Sequence, residues 1–130
     1  MNWLWSHRNR NKGRKVMENN SSKVYVVQVD HNKDLSDAKK YGQLQAVFGN
    51  PRKPYDTGSM VHKAREVLEQ WTDGDHLLML GDPTLCGVCM AIASEFTDSV
   101  NILSWDRNSF AYIPQHWEFG QGSQHIHTAD

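Results

Sequence analysis

The stretch His76-Leu77-Leu78-Met79-Leu80-Gly81-Asp82-Pro83-Thr84 decides the fold of this chain. Residues 76–80 are almost continuously apolar, the pattern of a short strand covered on both faces. Gly81 breaks the run. Asp82 then stands where a helix N-cap is needed, with Pro83 at the first helical position, where a missing N–H leaves no bond unmade. The helix that follows is expected to reach about Phe96 and is apolar nearly all round, through Leu85, Val88, Cys89, Met90, Ile92 and Phe96. Such a helix must pack against more than one neighbour, and Gly87 is expected to let it approach a sheet closely. A buried strand leading into a buried helix is the unit from which α/β sheets are built.

Outward from this junction the same grammar recurs. Toward the N-terminus, Val24-Tyr25-Val26-Val27-Gln28-Val29 is β-branched and aromatic, a second two-sided strand that Asp30-His31-Asn32 ends. Ser36 is placed to cap a short helix through Lys40, with Gly42 as its stop. Leu44–Phe48 reads as a shorter, more peripheral strand whose place in the sheet is open. The segment from Gly49 to Gly58 is a loop rich in Pro and Gly. Beyond it Val61, Ala64, Leu68 and Trp71 recur at helical spacing, with Asp56 or Ser59 as cap and Arg65 and Glu69 as an outward pair. Toward the C-terminus, Val100–Trp105 is a third core strand. After a turn at Asp106–Ser109, Phe110-Ala111-Tyr112-Ile113 returns as a hairpin partner, and Pro114 suits an edge. Residues 118–130 read as frayed.

Strand, helix, strand, helix, strand implies right-handed crossovers and parallel pairing. The expected architecture is therefore α/β: a small three-layer, Rossmann-like, mainly parallel sheet closed by a C-terminal antiparallel hairpin. The expected boundaries are a disordered basic leader over 1–22, the α/β domain over 23–119 and a flexible tail over 120–130.

Composition narrows the function classes. The chain has 130 residues and a formal net charge of −1, a single-domain length. The charge is unevenly placed. Arg8, Arg10, Lys12, Arg14 and Lys15 stand against Glu18 in the leader, a net of +4, which leaves −5 for the rest. An acidic folded part argues against a large nucleic-acid face, so contact with nucleic acid is expected only through the leader. Met17 offers an alternative start that would remove that arm. No apolar run is long enough to span a bilayer, and Trp3-Leu4-Trp5 is too short for a secretory signal. Two cysteines in one segment do not read as a disulfide framework, so a cytoplasmic location is expected.

In open α/β sheets ligands sit outside the carboxyl ends of the strands. Those ends carry Asp30 and His31, then Asp82 and Thr84, then Asp106 and Arg107. Asp30, His31, Asp82, Thr84 and Asp106 are the candidate ligand residues, chosen by topology. The plainer alternative is that Asp82 only caps a helix and Asp106 only starts a turn. A phosphate cradle is disfavoured, because no Gly-x-Gly-x-x-Gly or Gly-Lys-Ser/Thr follows a strand and Asp82 puts negative charge at the helix start.

Cys86-Gly87-Val88-Cys89 invites a thiol-redox reading. Against it, Cys86 lies a full turn inside the helix, where the dipole has decayed, and free cysteine is a common small core hydrophobe. Two cysteines make half a zinc site, and His125 and His127 in the tail complete it only weakly. His31 and His116 are isolated. Trp71, Trp105 and Trp117 sit on or beside packed elements and read as core. No catalytic constellation emerges, and no metal or cofactor is implied.

Several of these motifs together resemble a loose set of small bacteriophage-encoded α/β proteins. They are Val-Tyr-Val-Val-Gln-Val at 24–29, Leu-Leu-Met-Leu-Gly-Asp-Pro at 77–83, Ala-Ile-Ala at 91–93 and Leu-Ser-Trp-Asp-Arg at 103–107, followed by Tyr112 and Pro114. The resemblance spans Lys23 to Phe119, leaves the cysteines outside its pattern, and implies a phage origin and a host-cytoplasmic setting. It implies no activity and transfers no catalytic residue. The expected function is that of a phage accessory protein, not an enzyme, which binds a host or phage macromolecule. The alternatives are a small-molecule or nucleotide-binding domain and a thiol-redox protein. Oligomeric state stays open, with Phe110 and Tyr112 on an edge strand leaving edge pairing available.

Overall fold

The computed structural model describes residues 22–120. The expectations for the leader, Met17 and Trp3–Trp5 included, and for the tail with His125 and His127 lie outside the described residues.

The elements follow in the order β1 (Lys23–Gln28), a 3-10 helix (Ser36–Tyr41), β2 (Gln43–Phe48), α1 (Thr57–Leu68), β3 (His76–Leu78), α2 (Pro83–Ala93), β4 (Ser99–Asp106) and β5 (Ala111–Glu118). They form one five-stranded sheet in the order β2-β1-β3-β4-β5. The first three pairings are parallel and β4–β5 is antiparallel. The α/β architecture is as expected, and β2 takes the outer place beside β1.

The β1 run is continuously apolar because both faces are covered. Tyr25 and Val27 join Leu77, Val100 and Ile102 under α1 and α2, whose Ala64, Leu68, Leu85, Cys89 and Ile92 complete that core. Val24 and Val26 point the other way, with Leu78 and Leu103, against Ala38 of the 3-10 helix and Tyr112 of β5. Each such burial stabilises by roughly 1.5–3 kcal/mol. The layers are unequal: two α-helices cover one face and a single 3-10 segment covers the other. Trp71, just past α1, stacks on Tyr25 at 5.7 Å between centroids.

The Asp82 cap forms as the sequence requires. Its side chain accepts from the Thr84 N–H, and Pro83 opens α2. Asp56 caps α1 through the Ser59 N–H.

Five local expectations are corrected. Ser36 does not cap; it is the first residue of the 3-10 helix, and Asp34 accepts both its N–H and its hydroxyl. Arg65 forks onto Glu95 with two bonds of 2.7 Å, because the end of α2 lies against α1. Gly87 faces open space, with nothing within 4 Å of a Cβ built there, so it serves no close approach. The helix α2 ends at Ala93 and passes through a turn to Phe96. Finally, β5 continues to Glu118 where fraying was expected, since β4 is long enough to pair it throughout.

The tryptophans divide. Trp71 is core at 2% exposure, but Trp105 and Trp117 are each 47% exposed. Both lie on the hairpin, beyond the reach of the helices that cover β1 and β3.

One buried carboxylate had no sequence signal beyond a turn. Asp75 accepts from the Lys23 and Thr72 N–H groups at 2.8 Å, and its carbonyl accepts from the Asn101 amide. It ties together the amino ends of β1, β3 and β4, although burial raises its pKa.

Candidate functional site at the carboxyl end of the sheet

The chain leaves β1 toward the 3-10 helix on one face and leaves β2 toward α1 on the other. Where successive connections diverge to opposite faces, a crevice opens at the strand ends. Here it is an open cleft of about 560 Å³. Gln28, Val29, Asp30, His31 and Asn32 line it from β1, Gly49 and Asn50 from β2, and Gly81 from β3.

Asp30 and His31 thus lie in the cleft. Asp30 also shapes its own loop: its carboxylate accepts from the Asn32 N–H at 2.9 Å and its carbonyl from the Lys33 N–H at 3.0 Å. Asp82 stands beside the cleft with both oxygens engaged. One accepts from Thr84, the other from the Tyr55 hydroxyl at 2.6 Å, with Lys53 Nζ at 3.3 Å. The Tyr55 hydroxyl, the Thr84 N–H and Lys53 hold its carboxyl down at a pKa of about 2. An ionised, fully partnered carboxylate occupies the helix start where an anion would otherwise sit. Thr84 is exposed and gives its N–H to that cap. Asp106 does not line the cleft; it accepts from the Ser109 N–H and hydroxyl, which lower its pKa and fold the β4–β5 turn. The five candidates therefore fall into a pair in the cleft, a cap beside it and a turn apart from it.

Gln28, Asn32, Gly49, Asn50 and Gly81 are not among the candidates, although each lies at the end of a strand or in the loop that follows it. Gln28 locks the site: its side-chain oxygen accepts the Asp82 N–H at 2.9 Å. Gly81, at φ +110°, lets that contact form, because a Cβ there would collide with the Gln28 side chain.

A second groove of about 260 Å³ adjoins the first through Asn32, walled by Lys33, Asp34, Leu80, Trp105 and Tyr112. Trp105 meets Tyr112 edge-on at 5.0 Å. At the tip of the hairpin Phe110 is 74% exposed, and its backbone is left-handed at φ +53°. A bulky residue rarely adopts that conformation, which costs of order 1–2 kcal/mol outside glycine.

The two thiols sit in surroundings opposite to those of a reactive cysteine. Burial pushes Cys86 up and the Asp82 charge adds to it; Cys89, fully buried, is pushed up to about 12. Among the described residues no group of three or more His, Cys, Asp or Glu side chains is placed to hold a metal ion. No described helix is long and apolar enough to cross a membrane.

A family model described as Phage Pam3 gp32-like protein matches residues 22–119. No curated protein and no solved structure matches the chain.

Proposed function

The chain belongs to the Phage Pam3 gp32-like protein family, and from that premise we propose that it is a phage accessory protein that binds a macromolecular partner at the carboxyl end of its sheet. Phe110 carries the reading. A strained backbone holds this large aromatic side chain in solvent, at the tip of the hairpin whose Trp105 and Tyr112 wall the second groove. Strain kept at an exposed aromatic is a mark of a contact surface, since a glycine or asparagine would relieve it. Exposed aromatics of this kind are the usual anchors of protein interfaces. The groove and the cleft, joined at Asn32, are suited to an extended protein segment: aromatic anchoring at the hairpin and hydrogen bonding to Asn32, Asn50 and Asp30.

The test is affinity capture from phage-infected host cells with the wild-type chain and a Trp105→Ala/Phe110→Gly double variant. A specific partner recovered only by the wild type supports the reading. An identical set of proteins recovered by both rejects it.

The second reading is a small-molecule or nucleotide-binding Rossmann-like domain that uses the cleft alone. What favours it is the cleft's place, at the point where the strand order reverses between β1 and β3. Its carboxylate, imidazole and carboxamides suit a neutral polar ligand better than a phosphate. A thermal-shift screen of nucleosides, nucleotides and sugars tests it, with Asp30→Ala as control. A stabilisation that survives Asp30→Ala places the ligand elsewhere.

A further inference from the structure

The far end of the hairpin carries a separate surface. The Phe119 N–H reaches the Asp98 carbonyl at 2.8 Å, which fixes the phase of the antiparallel ladder. Pairs in such a ladder alternate between hydrogen-bonded and non-hydrogen-bonded. Counting along the register from Ser99↔Glu118 to Asp106↔Ala111, odd residues of β5 bond to β4 and even residues turn their backbone groups to the outer edge. Two independent observations agree with that phase. The Tyr112 N–H leaves the ladder and donates to Asp37 at 2.9 Å. Pro114, which has no N–H, falls at a position where none is required by β4.

Among the described residues the outer edge is therefore closed in its first half and open in its second. Asp37 occupies the Tyr112 donor and Pro114 has none, which leaves the N–H groups of His116 and Glu118. Alternating side chains place Ile113, Gln115, Trp117 and Phe119 on the face that α1 and α2 cover further in. There Ile113, Trp117 and Phe119 are 38%, 47% and 45% exposed. Edge strands are normally blunted with lysine or hidden. Along 112–119 this one bears a single carboxylate, Glu118, and no lysine.

We propose that β5 pairs antiparallel with β5 of a second copy about a two-fold axis at His116, giving a continuous ten-stranded sheet. In this register both open donors of each copy find an acceptor, and the gap at Pro114 falls only at the two ends of the ladder. Each His116 N–H bonds the His116 carbonyl of the other copy, and each Glu118 N–H bonds the other copy's Pro114 carbonyl. The missing proline donor costs one bond at each end. On the helix-covered face the same register sets Ile113 beside Phe119 of the second copy and Trp117 beside Gln115, joining the exposed apolar side chains into one strip. It sets Glu118 opposite Pro114 and diagonal to His116 of the second copy, so that the two carboxylates do not face each other. An isologous contact of this kind closes on itself, so it stops at a dimer. The two strand-end grooves then point in opposite directions and stay open.

Sedimentation equilibrium of the full chain from roughly 1 to 100 μM reads the outcome, a range that spans weak to moderate association. The expected result is twice the chain mass. His116→Pro removes the central donor without touching a backbone bond to β4, at the loss of the His116 ring's contact with Asn101, and is expected to shift the protein to monomer with an unchanged far-UV spectrum. If that variant unfolds, Trp117→Lys at an exposed position is expected to give the same monomer. His116→Cys is expected to form a disulfide-linked dimer under mild oxidation, because residues in a hydrogen-bonded pair stand about 5.5 Å apart at Cα, within disulfide reach. A monomer throughout the range overturns the proposal. So does a dimer that neither His116→Pro nor Trp117→Lys weakens, or a His116→Cys variant that oxidises no faster than the wild type.

Discussion

The Tyr55 hydroxyl donates to Asp82 across 2.6 Å and thereby fastens the loop before α1 to the first turn of α2. With Gln28 holding the Asp82 N–H from β1, three connections that are distant in sequence meet at one residue. The rim of the cleft is a locked assembly, and this gives the cap two duties. It starts a helix, and it sets the spacing of the strand-end loops.

That arrangement predicts a specific acid response. Asp82 has its pKa lowered from 3.8 to about 2. A carboxyl depressed in the folded state adds stability that is fully present above its unfolded pKa and is lost as pH falls through the folded value. Wild type is therefore expected to have a higher urea midpoint than Asp82→Asn at pH 5. The difference should shrink between about pH 3.8 and 2. A gap that stays constant to pH 2 would mean that the carboxylate charge is not what holds the junction.

Leu77 tests the core beneath that junction. It is fully buried under the helices, in the short strand between β1 and β4. Leu77→Ala removes its methyl groups and leaves a cavity that a central strand cannot close. The expected loss is about 2–5 kcal/mol by urea denaturation. A loss below about 1 kcal/mol would show that the helices collapse onto the space.

How far such features can be read without coordinates depends on how local their cause is. The β3–α2 junction is legible because a cap, a proline and two hydrophobic periods lie within a few residues. The strand β1 is legible because both its faces are apolar. The exposure of Trp105 and Trp117 is not, since their sequence neighbours are those of a core strand. Whether a helix covers the hairpin is decided by topology. The Arg65–Glu95 fork escapes for the same reason, with partners 30 residues apart, while the adjacent Glu69 is the obvious local choice. The cleft was found only as far as Asp30 and His31, because topology names the strand ends but not which loop residues turn inward.

Asp37 joins the 3-10 helix to the opposite side of the sheet by accepting the Tyr112 N–H, the chief cause of its lowered pKa. Asp37→Ala should leave that amide facing solvent. Hydrogen exchange at Tyr112 is expected to accelerate markedly, with the amides of β1 and β3 unchanged. Uniform acceleration across the sheet would instead mean that Asp37 supports the whole fold.

Phe110 supplies the prediction that separates stability from function. Its left-handed backbone, at φ +53°, is disfavoured for an aromatic residue and easy for glycine. Phe110→Gly removes a cost of order 1–2 kcal/mol, offset in part by the greater freedom that glycine brings to the unfolded chain. Because the side chain is 74% exposed, little packing is lost. The variant is expected to be more stable by about 0.5–1 kcal/mol in urea denaturation and to bind its partner more weakly. A stabilised variant with undiminished capture would remove the hairpin tip from the contact surface. A destabilised one would mean that the ring packs in solution and that its exposure is not held for a partner.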